Sequence, residues 1–122
     1  MRPRFALSLL AGVAFIAGTA ACSDNNSNTP AADVSITSGA STKTTTAFSP
    51  NPFTKSLATS GQVTWVNNDG VQHDLESDTG GVFDSGDMSP NGTFSHTFTA
   101  AGTYAYHCSI HPNMVGTIVI TP

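Results

Sequence analysis

From residue 34 to the end, the chain consists of short segments in which apolar and polar side chains alternate. The clearest are VSIT (34–37), QVTWVN (62–67), TFSHTF (93–98), GTYAYHC (102–108) and GTIVIT (116–121). In the second of these, Val63, Trp65 and Asn67 share one face. A period of two is typical of strands with one buried face, and β-branched and aromatic residues favour strands. We therefore predict a strand in each segment.

Turn-forming residues separate these predicted strands. They occur in SPNP (49–52), SG (60–61), NNDG (67–70), TGG (79–81), SPNG (89–92) and AG (101–102). No stretch of helical length after the first 33 residues shows a period of 3.6. Short strands at this spacing predict an all-β fold, either an antiparallel β-sandwich or a small barrel. Such folds carry adhesive, carbohydrate-binding and metal-binding functions alike, so the fold alone predicts no function.

The first 21 residues have the pattern of a targeting segment. Arg2 and Arg4 form a basic start, and the apolar stretch FALSLLAGVAFIAGTAA (5–21) follows without a charge. This pattern predicts a signal peptide over residues 1–21. The apolar stretch is at the short end of what can span a bilayer, so an uncleaved anchor is the alternative.

Cys22 follows the predicted signal peptide directly. The sequence GTAAC (18–22) resembles a bacterial lipoprotein signal, in which the cysteine becomes lipid-modified and N-terminal. The resemblance implies acyl chains on Cys22 that hold the protein at a membrane surface; alternatively, Cys22 is removed with the leader. The following stretch SDNNSNTPAAD lacks large apolar side chains. We therefore predict a flexible tether over residues 22–33 and a folded domain over residues 34–122.

The charge of the chain excludes one class of partner. Without residues 1–21, two lysines stand against eight acids, a net charge of −6. Nucleic-acid binding needs a basic surface, so nucleic acid is excluded. Six of the eight acids lie close together in sequence: Asp69, Asp74, Glu76, Asp78, Asp84 and Asp87. They form either a solvated loop surface or a patch that steers a basic partner, and both interpretations stay open.

The segment YAYHCSIHPNM (104–114) combines several potential metal ligands. The spacing Cys108-x2-His111-x2-Met114 lets one tight loop between two strands direct three side chains to one point. His73 follows the NNDG turn at a predicted strand end, which makes it the candidate for a fourth ligand. If Cys22 is acylated or removed, Cys108 has no cysteine partner and no disulfide can form within the chain.

These ligand types favour copper over other metals. Two imidazoles, a thiolate and a thioether suit copper that cycles between Cu(I) and Cu(II). Structural zinc favours more cysteines, and non-haem iron favours a carboxylate beside two histidines. A Cys–His nucleophile pair would leave Met114 without a role.

From about Phe48 onward the chain resembles the cupredoxins, the small blue copper proteins. The matching stretches are FSPNPF (48–53), VTWVNND (63–69), His73 and YAYHCSIHPNMVGTIVI (104–120). The two-residue spacer before Met114 is most similar to that of the amicyanins. The resemblance implies a Greek-key β-sandwich with one copper ion at one end. It implies His73, Cys108 and His111 as equatorial ligands and Met114 as the axial ligand.

The same resemblance implies a route for electrons through His111, which an apolar surface patch would surround. The candidates for that patch are Ile110, Pro112 and Val115. Two positions depart from the cupredoxin pattern: Asp74 stands where Asn is frequent, and Ile110 stands where Pro is common. We expect Asp74 to brace the ligand loop, with an added negative charge near the site.

Three further side chains are not expected to bind the metal. His107 precedes Cys108 on a strand, where neighbouring side chains point to opposite faces. His96 shares a face with Phe94 and Phe98 and is interpreted as structural. Met88 lies either near the copper end of the fold or in a loop that it fills, and the loop interpretation is favoured.

Together these inferences predict an exported, lipid-anchored, monomeric one-electron carrier that serves a redox partner protein and is not an enzyme. The main alternative is a protein that delivers copper, although such carriers often use clustered methionines and this chain has only Met88 and Met114 after the leader. Multicopper oxidases and nitrite reductases use related domains, but they need further copper sites. A plain adhesive β-domain would make the ligand pattern a coincidence.

Overall fold

The computed structural model describes residues 31–122. The predicted signal peptide, Cys22 and almost all of the predicted tether lie outside the described residues. Within residues 31–122, no helix is long and apolar enough to cross a membrane.

The described part of the chain is almost entirely β-structure. Its strands are β1 (Val34–Ile36), β2 (Phe48–Ser49), β3 (Phe53–Ser56), β4 (Gln62–Asn67), β5 (Glu76–Ser77), β6 (Thr93–Thr97), β7 (Gly102–His107) and β8 (Val115–Thr121). A single 3-10 turn, Ala40–Thr42, is the one helical element in this range. Each of the five predicted strands is present, so the period-two prediction is confirmed.

The strands form two four-stranded sheets packed as a sandwich. One sheet has the order β2-β1-β4-β6 and the other has the order β3-β8-β7-β5. The prediction of an antiparallel sandwich is wrong in one respect, because β1 pairs with β4 in parallel and β3 pairs with β8 in parallel. Alternation predicts which face of a strand is buried but does not determine which neighbour it pairs with or in which direction.

The segment after Phe48 explains how the two sheets are joined. β2 pairs with β1 in the first sheet, whereas β3 pairs with β8 in the second. The SPNP turn (49–52) lies between them and carries the chain from one sheet to the other. The residues of this turn predict it, but the two short strands beside it are not predicted.

The core lies between the sheets and follows the predicted alternation. Val63, Trp65 and Asn67 are all fully buried. The Trp65 indole N–H donates a hydrogen bond of 3.2 Å to the hydroxyl of Tyr106 across the core. Tyr106 in turn lies opposite Gly116 in the β7–β8 ladder. A Cβ on that glycine would come within 2.3 Å of the Tyr106 ring, so the absence of a side chain makes room for the tyrosine.

Candidate metal centre

His73 reaches the interior through a short backbone bridge at one end of the sandwich. Its N–H donates to the carbonyl of Met88 at 3.2 Å, and the Met88 N–H donates back to the His73 carbonyl at 2.7 Å. The Asn67 side-chain amide also donates to the Met88 carbonyl, at 2.9 Å. His73 is fully buried. The backbone of His73 is therefore held by Met88 in the chain before β6, and Asn67 at the end of β4 supports that pairing.

The second half of the site is the loop between β7 and β8. The Cys108 N–H donates to the Met114 carbonyl at 3.1 Å, and the Met114 N–H donates to the His111 carbonyl at 2.9 Å. These two bonds close the loop into a tight turn. Cys108 and Met114 are fully buried, whereas His111 is half-buried. The spacing of this segment thus produces the compact loop that the sequence predicted.

Three of the four predicted site residues bring their donor atoms together. The Cys108 Sγ lies 3.7 Å from His73 Nδ1 and 3.8 Å from His111 Nδ1, and the two nitrogens are 3.2 Å apart. A point equidistant from these atoms lies about 2.1 Å from each, which fits metal–nitrogen and metal–sulfur bonds of about 2.0–2.3 Å. The triangle therefore has the size that one first-row metal ion requires.

The chemistry of this group agrees with its size. Among the described residues, it is the one cluster of histidine, cysteine or acidic side chains that converges on a common point. It contains a thiol and two imidazoles but no carboxylate, which favours copper over magnesium or non-haem iron. Burial raises the pKa of the Cys108 thiol. A metal cation opposes that effect because it stabilises the thiolate.

Asp74 braces the ligand loop, as the sequence analysis expected. Its carboxylate accepts a hydrogen bond of 2.6 Å from the Ser109 N–H and a second one from the Ser109 hydroxyl. Burial is the largest single influence and acts to raise the pKa of Asp74, but the hydrogen bonds to its carboxylate, with those from Ser109 the strongest, together hold the pKa below its ordinary value. The carboxylate thus ties the residue after Cys108 to the residue after His73.

Asp69 contacts the candidate ligand His73, and the sequence does not predict this contact. Its Oδ2 lies 2.9 Å from His73 Nε2, the ring nitrogen that faces away from Cys108. The bond with His73 is the main reason that the pKa of Asp69 falls to about 2. An acid four residues before the histidine was the available signal. In the sequence, nothing distinguishes this acid from the other members of the acidic run.

Asn113 is a second missed residue. Its side-chain amide donates to the carbonyls of Lys43 at 2.7 Å and Ser41 at 3.3 Å. These bonds attach the ligand loop to the 3-10 turn and to Lys43, the residue that follows it. No local sequence signal marks this contact, because its partners lie some 70 positions upstream.

The comparison with known families decides the identity of the chain. Residues 32–121 match the family of copper binding proteins described as plastocyanin/azurin. The chain belongs to this family. The predicted resemblance to the cupredoxins is therefore confirmed, and copper is the cofactor that the family and the donor set both indicate.

Individual relatives agree with this assignment. The cupredoxin chain is 37% identical to amicyanin from Paracoccus denitrificans in an alignment 62 residues long that covers 48% of this chain and 47% of amicyanin. It is 36% identical to amicyanin-alpha from Methylorubrum extorquens in an alignment 62 residues long that covers 48% of this chain and 52% of that protein. The chain thus spans about half the length of the curated relatives it matches.

Solved structures extend the likeness over more of the chain. A purple cupredoxin from Nitrosopumilus maritimus is 32% identical, with a TM-score of 0.64 over 74% of this chain and 99% of that one. A copper-containing nitrite reductase from Thermus scotoductus is 26% identical, with a TM-score of 0.58 over 75% of this chain. The match covers only 22% of the reductase chain. The cupredoxin-like sandwich predicted from the sequence is confirmed.

The remaining histidines of this cupredoxin lie outside the donor triangle, as predicted. His107 Nδ1 pairs with the Asp78 carboxylate at 2.7 Å near the surface. His96 packs against the rings of Phe83 and Phe98, with centroid distances of 5.4 and 4.7 Å. Met88 lies in the loop before β6, as interpreted, but it is buried there and its backbone pairs with that of His73, so it also lies beside the metal centre.

The six clustered acids divide into two groups. Asp69 is buried and Asp74 is half-buried, and both bond to parts of the metal centre. The other four are exposed: Glu76, Asp78, Asp84 and Asp87. The two interpretations of the acidic run, a solvated loop surface and a patch that steers a basic partner, therefore apply only to these four exposed acids.

Proposed function

We propose that this cupredoxin is a one-electron carrier whose copper is bound by His73, Cys108, His111 and Met114. The observation that carries the proposal is the convergence of one sulfur and two nitrogens at 3.2–3.8 Å, with Met114 buried at the end of the same loop. When bound, copper supplies the one-electron couple between Cu(I) and Cu(II).

The protein's contribution is a ligand loop that its own hydrogen bonds hold in place. The Cys108–Met114 and Met114–His111 backbone bonds hold the loop closed, and Asp74 clamps it from the other side. A site held by such bonds moves little when its charge changes by one. Small rearrangement on gain or loss of an electron is what a carrier requires.

Among the proposed copper ligands, His111 is the side chain best placed to pass electrons to another protein. His73 is fully buried, whereas His111 is half-buried beside the exposed Ile110. Val71 is the other exposed large apolar residue in the described range, and it lies two positions before His73. These side chains, with Pro112 and Val115, support docking of a redox partner over His111 through apolar contacts.

The four exposed acids support a partner with a basic surface. Long-range attraction accelerates encounter and is screened by salt. We expect the electron-exchange rate with a basic redox partner to fall as ionic strength rises. A rate that is indifferent to salt would contradict a steering role and leave these acids as a solvated surface.

Export and lipid attachment belong to the proposal as well. The supporting features are the leader pattern of residues 1–21, Cys22 after small residues, and the polar stretch over residues 22–33. In the expressing bacterium, the mature protein should partition with membranes, and Cys22→Ser should release it or block its processing. Equal partitioning of the two proteins would contradict a lipid anchor on Cys22.

Rapid kinetics test the carrier function itself. The copper-loaded protein should take up and return one electron per copper in stopped-flow mixing with small reductants and oxidants, without loss of the metal. Release of copper on reduction would instead favour the alternative, a protein that delivers copper.

A further inference from the structure

The carboxylate of Asp69 is held in a fixed position next to His73. Asp69 has 8% of its surface exposed. Its Oδ1 accepts from the N–H groups of Gly39 at 2.9 Å and Gly70 at 2.8 Å. Its Oδ2 accepts from the Ala40 N–H at 3.1 Å and contacts His73 Nε2 at 2.9 Å. Three backbone donors and the imidazole therefore orient both oxygens, so the carboxylate has no freedom to turn away.

This contact determines which ring nitrogen of His73 faces the metal. A carboxylate can only accept a hydrogen bond, so Nε2 must carry the proton that it shares with Asp69. The lone pair is then on Nδ1, the atom that lies 3.7 Å from the Cys108 sulfur. In proteins the hydrogen bond at one imidazole nitrogen sets the tautomer and the ring orientation at the other.

The carboxylate also brings a negative charge to a buried imidazole. Charge on a hydrogen-bonded carboxylate makes the ligand more basic. A more basic ligand and a nearby negative charge stabilise a doubly charged ion more than a singly charged one. Asp69 should therefore favour Cu(II) over Cu(I).

We propose that Asp69 is a positioning residue that locks His73 with Nδ1 toward the copper and lowers the reduction potential of the site. The inference rests on the proposed copper ligation by His73. It also gives the 3-10 turn a role in the metal centre. The Ala40 N–H at its start donates to Asp69, and the carbonyls of Ser41 and of the flanking Lys43 accept from Asn113 of the ligand loop.

The test compares Asp69→Asn with Asp87→Asn in the full chain. Both changes remove one negative charge, but Asp87 is exposed and takes no part in the metal centre. The measurements are the reduction potential by spectroelectrochemistry and the separate affinities for Cu(I) and Cu(II) by chelator competition. Asp69→Asn should weaken Cu(II) binding by about 10- to 100-fold and Cu(I) binding by less. Each tenfold difference between the two losses raises the potential by about 59 mV.

Two results would overturn the proposal. One is a potential that moves no more in Asp69→Asn than in Asp87→Asn. The other is an equal loss of Cu(I) and Cu(II) affinity, since that result would show a purely structural role. If neither Asp69→Asn nor the wild-type protein binds copper through Cys108, the proposed function is wrong, and the inference about Asp69 is wrong with it.

A second measurement needs no variant. In nitrogen-detected NMR of the Cu(I)-loaded wild-type protein, the His73 ring should carry a proton on Nε2 that exchanges slowly with water. Rapid exchange of that proton, or a proton on Nδ1, would contradict the proposed lock even if Asp69→Asn does not fold.

Discussion

The hydrogen bond between Trp65 and Tyr106 should contribute measurably to the stability of the fold. Both side chains are buried, with Trp65 at 0% and Tyr106 at 1% exposure. Tyr106→Phe removes the hydroxyl and leaves the indole N–H of Trp65 without its acceptor at 3.2 Å. An unsatisfied buried donor costs about 1–3 kcal/mol, so the free energy of unfolding should fall by that amount.

Tyr104 provides a matched control on the same strand. Its hydroxyl donates to the Ala100 carbonyl at 2.9 Å at the exposed end of the hairpin, where water can replace the lost partner. Tyr104→Phe should therefore change the free energy of unfolding by less than about 0.5 kcal/mol.

Urea unfolding of the copper-free protein, followed by tryptophan fluorescence and circular dichroism, measures both variants. Tyr106→Phe should lower the midpoint without changing the slope of the transition. Equal midpoints for Tyr106→Phe and Tyr104→Phe would refute the argument, because the buried indole N–H would then have found another partner at no cost.

Two further predictions concern other parts of the core. Gly116→Ala should lower the free energy of unfolding by about 1–3 kcal/mol, because its Cβ would overlap the Tyr106 ring. Gly80 has open space around it, so Gly80→Ala should change the free energy of unfolding by less than about 0.5 kcal/mol. Equal urea midpoints for the two variants would contradict this prediction. Burial lowers the pKa of His96, so its contribution to stability is present above the unfolded pKa of about 6.5 and is lost as pH falls below it. Between pH 7 and pH 5, the free energy of unfolding should therefore fall less in His96→Phe than in the wild-type protein. Equal decreases in the urea-derived free energies would contradict a lowered pKa at His96.

The parts of the molecule that were predictable depend on local spacing. The buried face of β4 follows from alternation, and the loop from Cys108 to Met114 follows from two-residue spacers between strands. Both patterns lie within a dozen residues. Their physical consequences, a half-buried strand and a tight loop, need little information from the rest of the chain.

The contacts that were missed depend on segments far apart in sequence. Asp69 is buried because the N–H groups of Gly39 and Ala40, about 30 positions upstream, satisfy its carboxylate. Without those donors an acid beside a turn is expected at the surface. The parallel pairing of β3 with β8 likewise joins strands more than 60 residues apart, and periodicity carries no information about that choice.

The spectrum of the Cu(II)-loaded protein tests the copper site most directly. One equivalent of Cu(II) should produce an intense visible band from charge transfer between the Cys108 thiolate and the metal, together with an EPR signal of narrow copper splitting. Cys108→Ser should abolish the band, because an alkoxide or hydroxyl cannot supply that transition. A colourless complex with an ordinary Cu(II) EPR signal, or a band that survives in Cys108→Ser, would contradict the proposed site.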